Sequence, residues 1–240
     1  MPRQAGARLS SQTLDITDMS YDLYFKPRSG SFSDELFHAY FRDRPNYKCE
    51  GVQAWYGNED TGVYFVFELQ TEQPPEEDGD EPLEHFPVAL NINYLRPSYF
   101  ILEAAPEVTA FVKHFDLLVS DPQMEGMGDG EYNAEKLLSG WNCGNEFGYT
   151  SILRDESNRS GIAHLPAEQL HNAWRWNSSR SQVQARVGES KFVPRIMFLN
   201  LGGSTERQLS GRMAFPWSSH ASTIFASHAK NSRLQNSSVR

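Results

Sequence analysis

The chain has 240 residues, 39% of them hydrophobic, and a formal charge of −9, the size and composition of one globular domain that can bury a core, with at most a small appendage. No run of about eighteen apolar residues occurs, and no apolar stretch follows Arg3 and Arg8, which argues against a membrane span or a secretory signal and for a cytoplasmic location. Two cysteines, Cys49 and Cys143, are too few for a disulfide scaffold or a cysteine-rich zinc site, and two reduced thiols are expected.

The charge is uneven. Residues 1–18 carry two Arg against two Asp, and residues 204–240 carry five bases against Glu206 alone, which leaves 15 bases against 28 acids in residues 19–203. A body of −13 repels phosphate backbones and anionic membrane surfaces and favours a basic protein partner, although such charge also serves solubility.

Residues 1–18 are polar and aperiodic and read as a flexible extension, with Met19 placed as a natural start would be. From Ser20 to Lys26 the alternation of Tyr21, Leu23 and Phe25 with Asp22, Tyr24 and Lys26 predicts a half-buried strand. Ser31 or Ser33 can cap the next helix, which has Asp34 and Glu35 in its first turn, Leu36, Phe37, Tyr40 and Phe41 along its aromatic face, and Pro45 at its end. Residues 52–56 and 63–69 predict a hairpin closed by Gly57-Asn58-Glu59-Asp60-Thr61-Gly62. Residues 71–84 hold seven acids and three prolines, so they read as a solvated loop that cannot offset its ordering entropy.

Val88, Leu90, Ile92 and Tyr94 predict a strand, Pro106 the first turn of a helix running to about His114, and residues 115–119 a buried strand. After a loop at 121–131, helices are expected over 133–141 and 166–186, and a last strand over 192–201. Beyond Gly203 nine serines and scattered bases show no sustained period, as either a disordered tail or a shifted reading frame would. The helix-then-strand order at 106–119 is short for a parallel crossover. The expected fold is therefore α+β: residues 19–203 form one domain, a mostly antiparallel sheet backed by helices, followed by a disordered or atypical C-terminal tail at 204–240.

Motifs that carry chemistry are few. Cys143, placed by Trp141-Asn142-Cys143-Gly144-Asn145 at a helix end beside a flexible glycine, is the best nucleophile, but the sequence assigns it no base from among His114, His164 and His171. No HExxH, CxxC or close His pair indicates a metal, and no cofactor is implied. Gly126-Met127-Gly128-Asp129-Gly130 lacks the third glycine of a dinucleotide fingerprint and sets carboxylates where phosphate would lie, so it reads as a flexible loop. Trp174 and Trp176 are two apart and cannot share a helix face, so one is expected to be exposed.

Tyr21-Asp22-Leu23-Tyr24-Phe25, the hairpin Asn58-Glu59-Asp60-Thr61-Gly62-Val63-Tyr64-Phe65, Asp121-Pro122-Gln123 and Val193-Pro194-Arg195-Ile196-Met197-Phe198 together resemble uncharacterised bacterial proteins, some of them similar to immunity proteins that neutralise a partner toxin in interbacterial competition. That resemblance spans residues 19–203 and implies binding by occlusion of a toxin surface, without turnover. The expectation is a non-enzymatic protein-binding module that holds a basic partner through Glu59, Asp60, Asp78, Asp80 and Trp176, with no nucleic acid or membrane among its partners. The alternatives are a Cys143-dependent hydrolase and a structural or regulatory domain without a dedicated ligand.

Overall fold

The computed structural model describes residues 19–70, 85–159, 162–201, 204–210 and 224–226. Its centre is a six-stranded sheet in the order β2-β3-β4-β5-β1-β6 with every neighbouring pair antiparallel. The strands are β1 (Ser20–Pro27), β2 (Tyr47–Glu50), β3 (Gln53–Gly57), β4 (Tyr64–Leu69), β5 (Val88–Asn93) and β6 (Leu117–Ser120). The helix-then-strand passage from β5 to β6 does bring two parallel strands into one sheet, but β1 lies between them and pairs antiparallel with both. The α+β class and the antiparallel sheet stand as expected from the sequence.

The period-2 pattern decides which face is buried. Tyr21, Leu23 and Phe25 of β1, Phe65 and Phe67 of β4, and Val88, Leu90 and Ile92 of β5 all turn to one side. That side is covered by α1 (Asp34–Phe41), whose Phe37 and Phe41 are buried, and by α2 (Tyr99–Phe115). Ser33 caps α1, its Oγ accepting from the Leu36 amide at 3.4 Å. Phe111 of α2 lies 4.8 Å from the Phe67 ring centroid and 5.6 Å from that of Phe25, which seats the helix across the middle of the sheet.

In the sheet and the helix that covers it, three elements differ from expectation. Helix α2 starts seven residues before Pro106, because Phe100, Ile101, Ala104, Ala105, Val108, Phe111 and Val112 form a buried stripe at helical spacing. Pro106 sits on the exposed side, where the loss of one backbone hydrogen bond is least costly. The helix stops at Asp116 in the left-handed region (φ 50°), so Phe115 is helical and β6 begins at Leu117. Strand β2, too short and polar to show a pattern, adds an edge that the sequence did not announce.

Helix α3 (Ala134–Ile152), capped by Asn133, runs eleven residues past the expected end at 141. Gly140, Gly144 and Gly148 recur every fourth residue and so share one helix face. A Cβ on Gly144 would lie 2.1 Å from the Tyr94 ring, and one on Gly140 3.1 Å from the Tyr21 hydroxyl. Gly144 is therefore a site of close approach inside a helix, not a flexible helix end. Asn145, buried beside it, donates to the carbonyls of Tyr94 and, at 2.9 Å, Arg96.

The C-terminal part consists of a short helix α4 (Glu156–Arg159), β7 (Ile162–His164), α5 (Ala167–Val187) and β8 (Arg195–Leu201). Beyond 203, where no strand was expected, β9 (Ser204–Ser210) pairs antiparallel with β8, and β10 (Ile224–Ala226) pairs parallel with β7. Ser-Thr-Glu-Arg-Gln-Leu-Ser has almost no apolar residues to betray a strand, and backbone pairing alone defines it. The remainder of the expected tail, with the N-terminal extension and the 71–84 loop, lies outside the described residues.

Adding a methyl group at Gly144 tests the close approach. Gly144→Ala gains about 1 kcal/mol of helix propensity at an ordinary helical site, yet here the clash with Tyr94 is expected to leave a net loss of about 1–3 kcal/mol, read from the urea midpoint. A variant as stable as the parent would show that α3 does not need the approach.

Candidate protein-interaction face

The loop at 121–131 connects β6 to α3, and its shape is set by one carboxylate. Asp121 is 3% exposed and accepts from the Tyr21 hydroxyl, from the Gln123 amide at 3.1 Å and from the Met127 amide at 2.8 Å. A carboxylate out of water needs such donors to be tolerated at all. Burial first, and the bond to Asp121 second, push the Tyr21 hydroxyl far above the ordinary tyrosine range, so it stays a proton donor. Gly126 passes so close that a Cβ would lie 2.3 Å from the Asp121 carboxyl carbon, and Gly128 and Gly130 have φ of 70° and 128°. The glycine cluster is thus wrapped around a fixed negative charge, the opposite of a phosphate cradle.

Two further contacts hold the loop tip. The Tyr94 hydroxyl donates to Gln123 Oε1 at 3.0 Å, and the Glu125 carbonyl lies over Gly140 of α3. At the tip Met124 is 98% exposed, beside exposed Glu125 and Asp129. The outward face of α3 adjoins it with Glu135, Lys136, Ser139, Cys143, Glu146 and Phe147, and Phe147 is 67% exposed. Two large apolar side chains presented from a pinned loop and a tightly packed helix, among the four carboxylates of Glu125, Asp129, Glu135 and Glu146 and the single cation of Lys136, form a preorganised face of net negative charge.

The residues expected to bind a partner fare differently. Asp60 is turned inward: it pairs with Arg180 of α5 and accepts from Ser181 Oγ at 2.9 Å. Glu59 is exposed, but its carbonyl accepts from Arg195, so the hairpin tip sits among arginines and is no acidic patch. The pull is clear from composition, since residues 162–201 hold five bases against two acids. Asp78 and Asp80 lie outside the described residues. Of the two tryptophans on α5, Trp176 is the more exposed at 37%, and its Nε1 donates to the Pro194 carbonyl at 2.8 Å. Trp174 stacks on Tyr99 and donates to Glu103 Oε2 at 2.6 Å.

Cys143 and Cys49 are both free and exposed. Cys143 lies mid-helix on the outward face of α3, while His171 is bonded to Ser98 Oγ at 2.8 Å and His114 is packed against Tyr40 and Phe115. Neither histidine is bonded to the thiol, so the arrangement provides neither of them as the base a thiolate nucleophile needs. Among the described residues no group of three or more His, Cys, Asp or Glu is placed to hold a metal ion, and no helix is long and apolar enough to cross a membrane. No known family model, curated protein or solved structure matches the chain.

The exposure of Met124 and Phe147 is not legible in the sequence, because an apolar side chain that ends in water looks like any other there. The fourfold glycine spacing was the one available signal, since it marks which face of α3 turns inward.

Two outcomes follow from these contacts. Tyr21→Phe removes one charge-assisted bond and is expected to lower stability by about 1.5–3 kcal/mol and to speed exchange of the Gln123 and Met127 amides; unchanged exchange there would dissociate the loop from Asp121. Burial, then the nearby Arg175 charge, lowers the His171 pKa. Neutral His171 therefore adds stability that is complete above the ordinary value of about 6.5 and is lost as pH falls through the lowered folded value. Unfolding midpoints measured between pH 8 and pH 5 should decline, and His171→Gln should flatten the decline.

Proposed function

We propose that this chain is a non-enzymatic binding module that occludes a basic protein partner, in the manner of an immunity protein, through the 121–131 loop tip and the outward face of α3. The observation that carries the reading is the pinned loop: a buried Asp121 holds Met124 almost fully in water between carboxylates. Apolar side chains fixed before binding lose little entropy on contact. The surrounding acids, Glu125, Asp129, Glu135 and Glu146, speed encounter with a positive surface and make it sensitive to salt. Residues 19–70 and 85–159 together hold 19 acids against ten bases, which gives this part of the chain the same sign as the face.

The full chain, immobilised and passed over native lysate, is expected to retain a basic protein that elutes on raising the salt. Met124→Ala and Glu125→Lys should each weaken retention at least about tenfold. The gene of the retained protein, expressed alone, should arrest growth, and co-expression of this chain should relieve the arrest. Equal retention by both variants would remove the face from the interaction; no salt-sensitive partner, or a partner harmless when expressed alone, would remove the immunity-like reading.

A further inference from the structure

The two edges of the central sheet are treated differently. At β6 the outer edge is sealed, because Val119 and Gly130 exchange amide-to-carbonyl bonds at 2.8 Å in both directions. At β2 no strand among the described residues lies beyond the edge. Open edges invite pairing with another chain.

The backbone register shows which groups β2 offers. The Gly57 amide donates to the Asn46 carbonyl at 2.8 Å, so Asn46 faces β3. By alternation Lys48 and Glu50 also bond to β3, and the amide and carbonyl of Cys49 point outward. The side chains alternate the other way: Lys48 and Glu50 share the sheet face of their partners Trp55 and Gln53, and Cys49 lies on the side of Ala54. All three are exposed.

Lys48-Cys49-Glu50 is self-complementary when paired antiparallel with itself. Setting Cys49 opposite Cys49 of a second copy places each Lys48 opposite the other copy's Glu50, giving two cross-strand ion pairs about one twofold axis. The same pairing satisfies the outward amide and carbonyl of both Cys49 residues. Any other antiparallel register of β2 on itself breaks at least one of these matches. A basic partner would meet Lys48 with like charge, so the edge suits a second copy better than the partner of the acidic face.

We propose that β2 is a self-association edge, through which two copies of this chain pair antiparallel about Cys49 to form a continuous twelve-stranded sheet. An edge of four residues is well short of about 800 Å² per partner, so the dimer is weak, with a dissociation constant on the order of 10 μM or more. Directly opposed residues joined by a pair of backbone bonds lie about 5.5 Å apart between Cα atoms, within the span a disulfide accepts. Cys49 therefore reports the register.

The test uses the full chain carrying Cys143→Ser, in sedimentation equilibrium up to roughly 1 mM. Concentration-dependent dimerisation is expected. Lys48→Glu, which sets like charges opposite each other, should weaken it on the order of tenfold, and the double exchange Lys48→Glu with Glu50→Lys should restore it. Oxidised glutathione at pH about 8.5 suits a thiol whose pKa burial raises. Two Cys49 thiols lose their protons and two electrons to it, forming one intermolecular disulfide while glutathione leaves as two thiols. The crosslink should disappear in Cys49→Ser. A monomer at every concentration, a dimer indifferent to Lys48→Glu, or a double exchange that fails to restore pairing overturns the proposal.

Discussion

The fold depends on Phe111. Its ring meets Phe25 of β1, Phe32 of the following turn, Tyr40 and Phe41 of α1, Phe67 of β4 and Phe115 of its own helix, with centroids 4.8 to 6.2 Å away. One side chain thus joins the β1–α1 segment and β4 to a helix, from a position more than forty residues beyond them in the chain. Aromatic pairs of this kind add about 0.5–1.5 kcal/mol beyond the area they bury, and they constrain angle as well as distance. With α2 fixed across β1 and β4, α1 has one slot and the sheet one covered face.

Two carboxylates then secure what the aromatic cluster cannot reach. Glu103, on the same α2, accepts from Tyr56 at 2.8 Å, Asn58 at 2.7 Å and Thr61 at 3.0 Å through one oxygen, and from Trp174 through the other. It ties the β3–β4 hairpin and α5 to the helix. Asp121 does the same for the loop before α3. Both hubs use neutral donors, and removing any one donor leaves a partly buried charge short of a bond, a loss larger than the net value of the bond itself. Rigidity at the acidic face is a consequence of that asymmetry.

Strand alternation and helical aromatic spacing make β1, α1, β4 and β5 legible, because each has a strongly buried face. What failed was local chemistry read without its tertiary setting. Pro106 looked like a helix start because proline favours that position, but a seven-residue buried stripe outweighs one lost bond on the solvent side. Gly144 looked like a breaker because the Tyr94 ring that fills its missing Cβ lies fifty residues away. Asp60 reads as an acid free to hold a partner because Arg180, which takes it up, lies 120 residues away in the chain. The glycines at 126, 128 and 130 read as a flexible loop, and the reason for their spacing appears only once Asp121 is seen inside the turn.

Net charge says little about where a protein binds until the pairs are removed from it. Asp60, Glu103, Glu107 and Asp121 are spent on internal donors, and Glu131 is held by Arg28 at 2.7 Å. The acids of the loop tip and of the outward turns of α3 enter none of these pairs, and with Lys136 they flank Met124 and Phe147, the two most exposed large apolar side chains among the described residues. The loop that displays Met124 also seals the β6 edge through Gly130. A single buried carboxylate thereby closes one edge of the sheet to other chains while building a directional surface beside it. Pairing along a bare edge is satisfied by any backbone, whereas a fixed pattern of apolar and charged side chains selects its partner. On the binding reading proposed above, closing the first kind of contact where the second is displayed leaves recognition at that end of the molecule to the side chains.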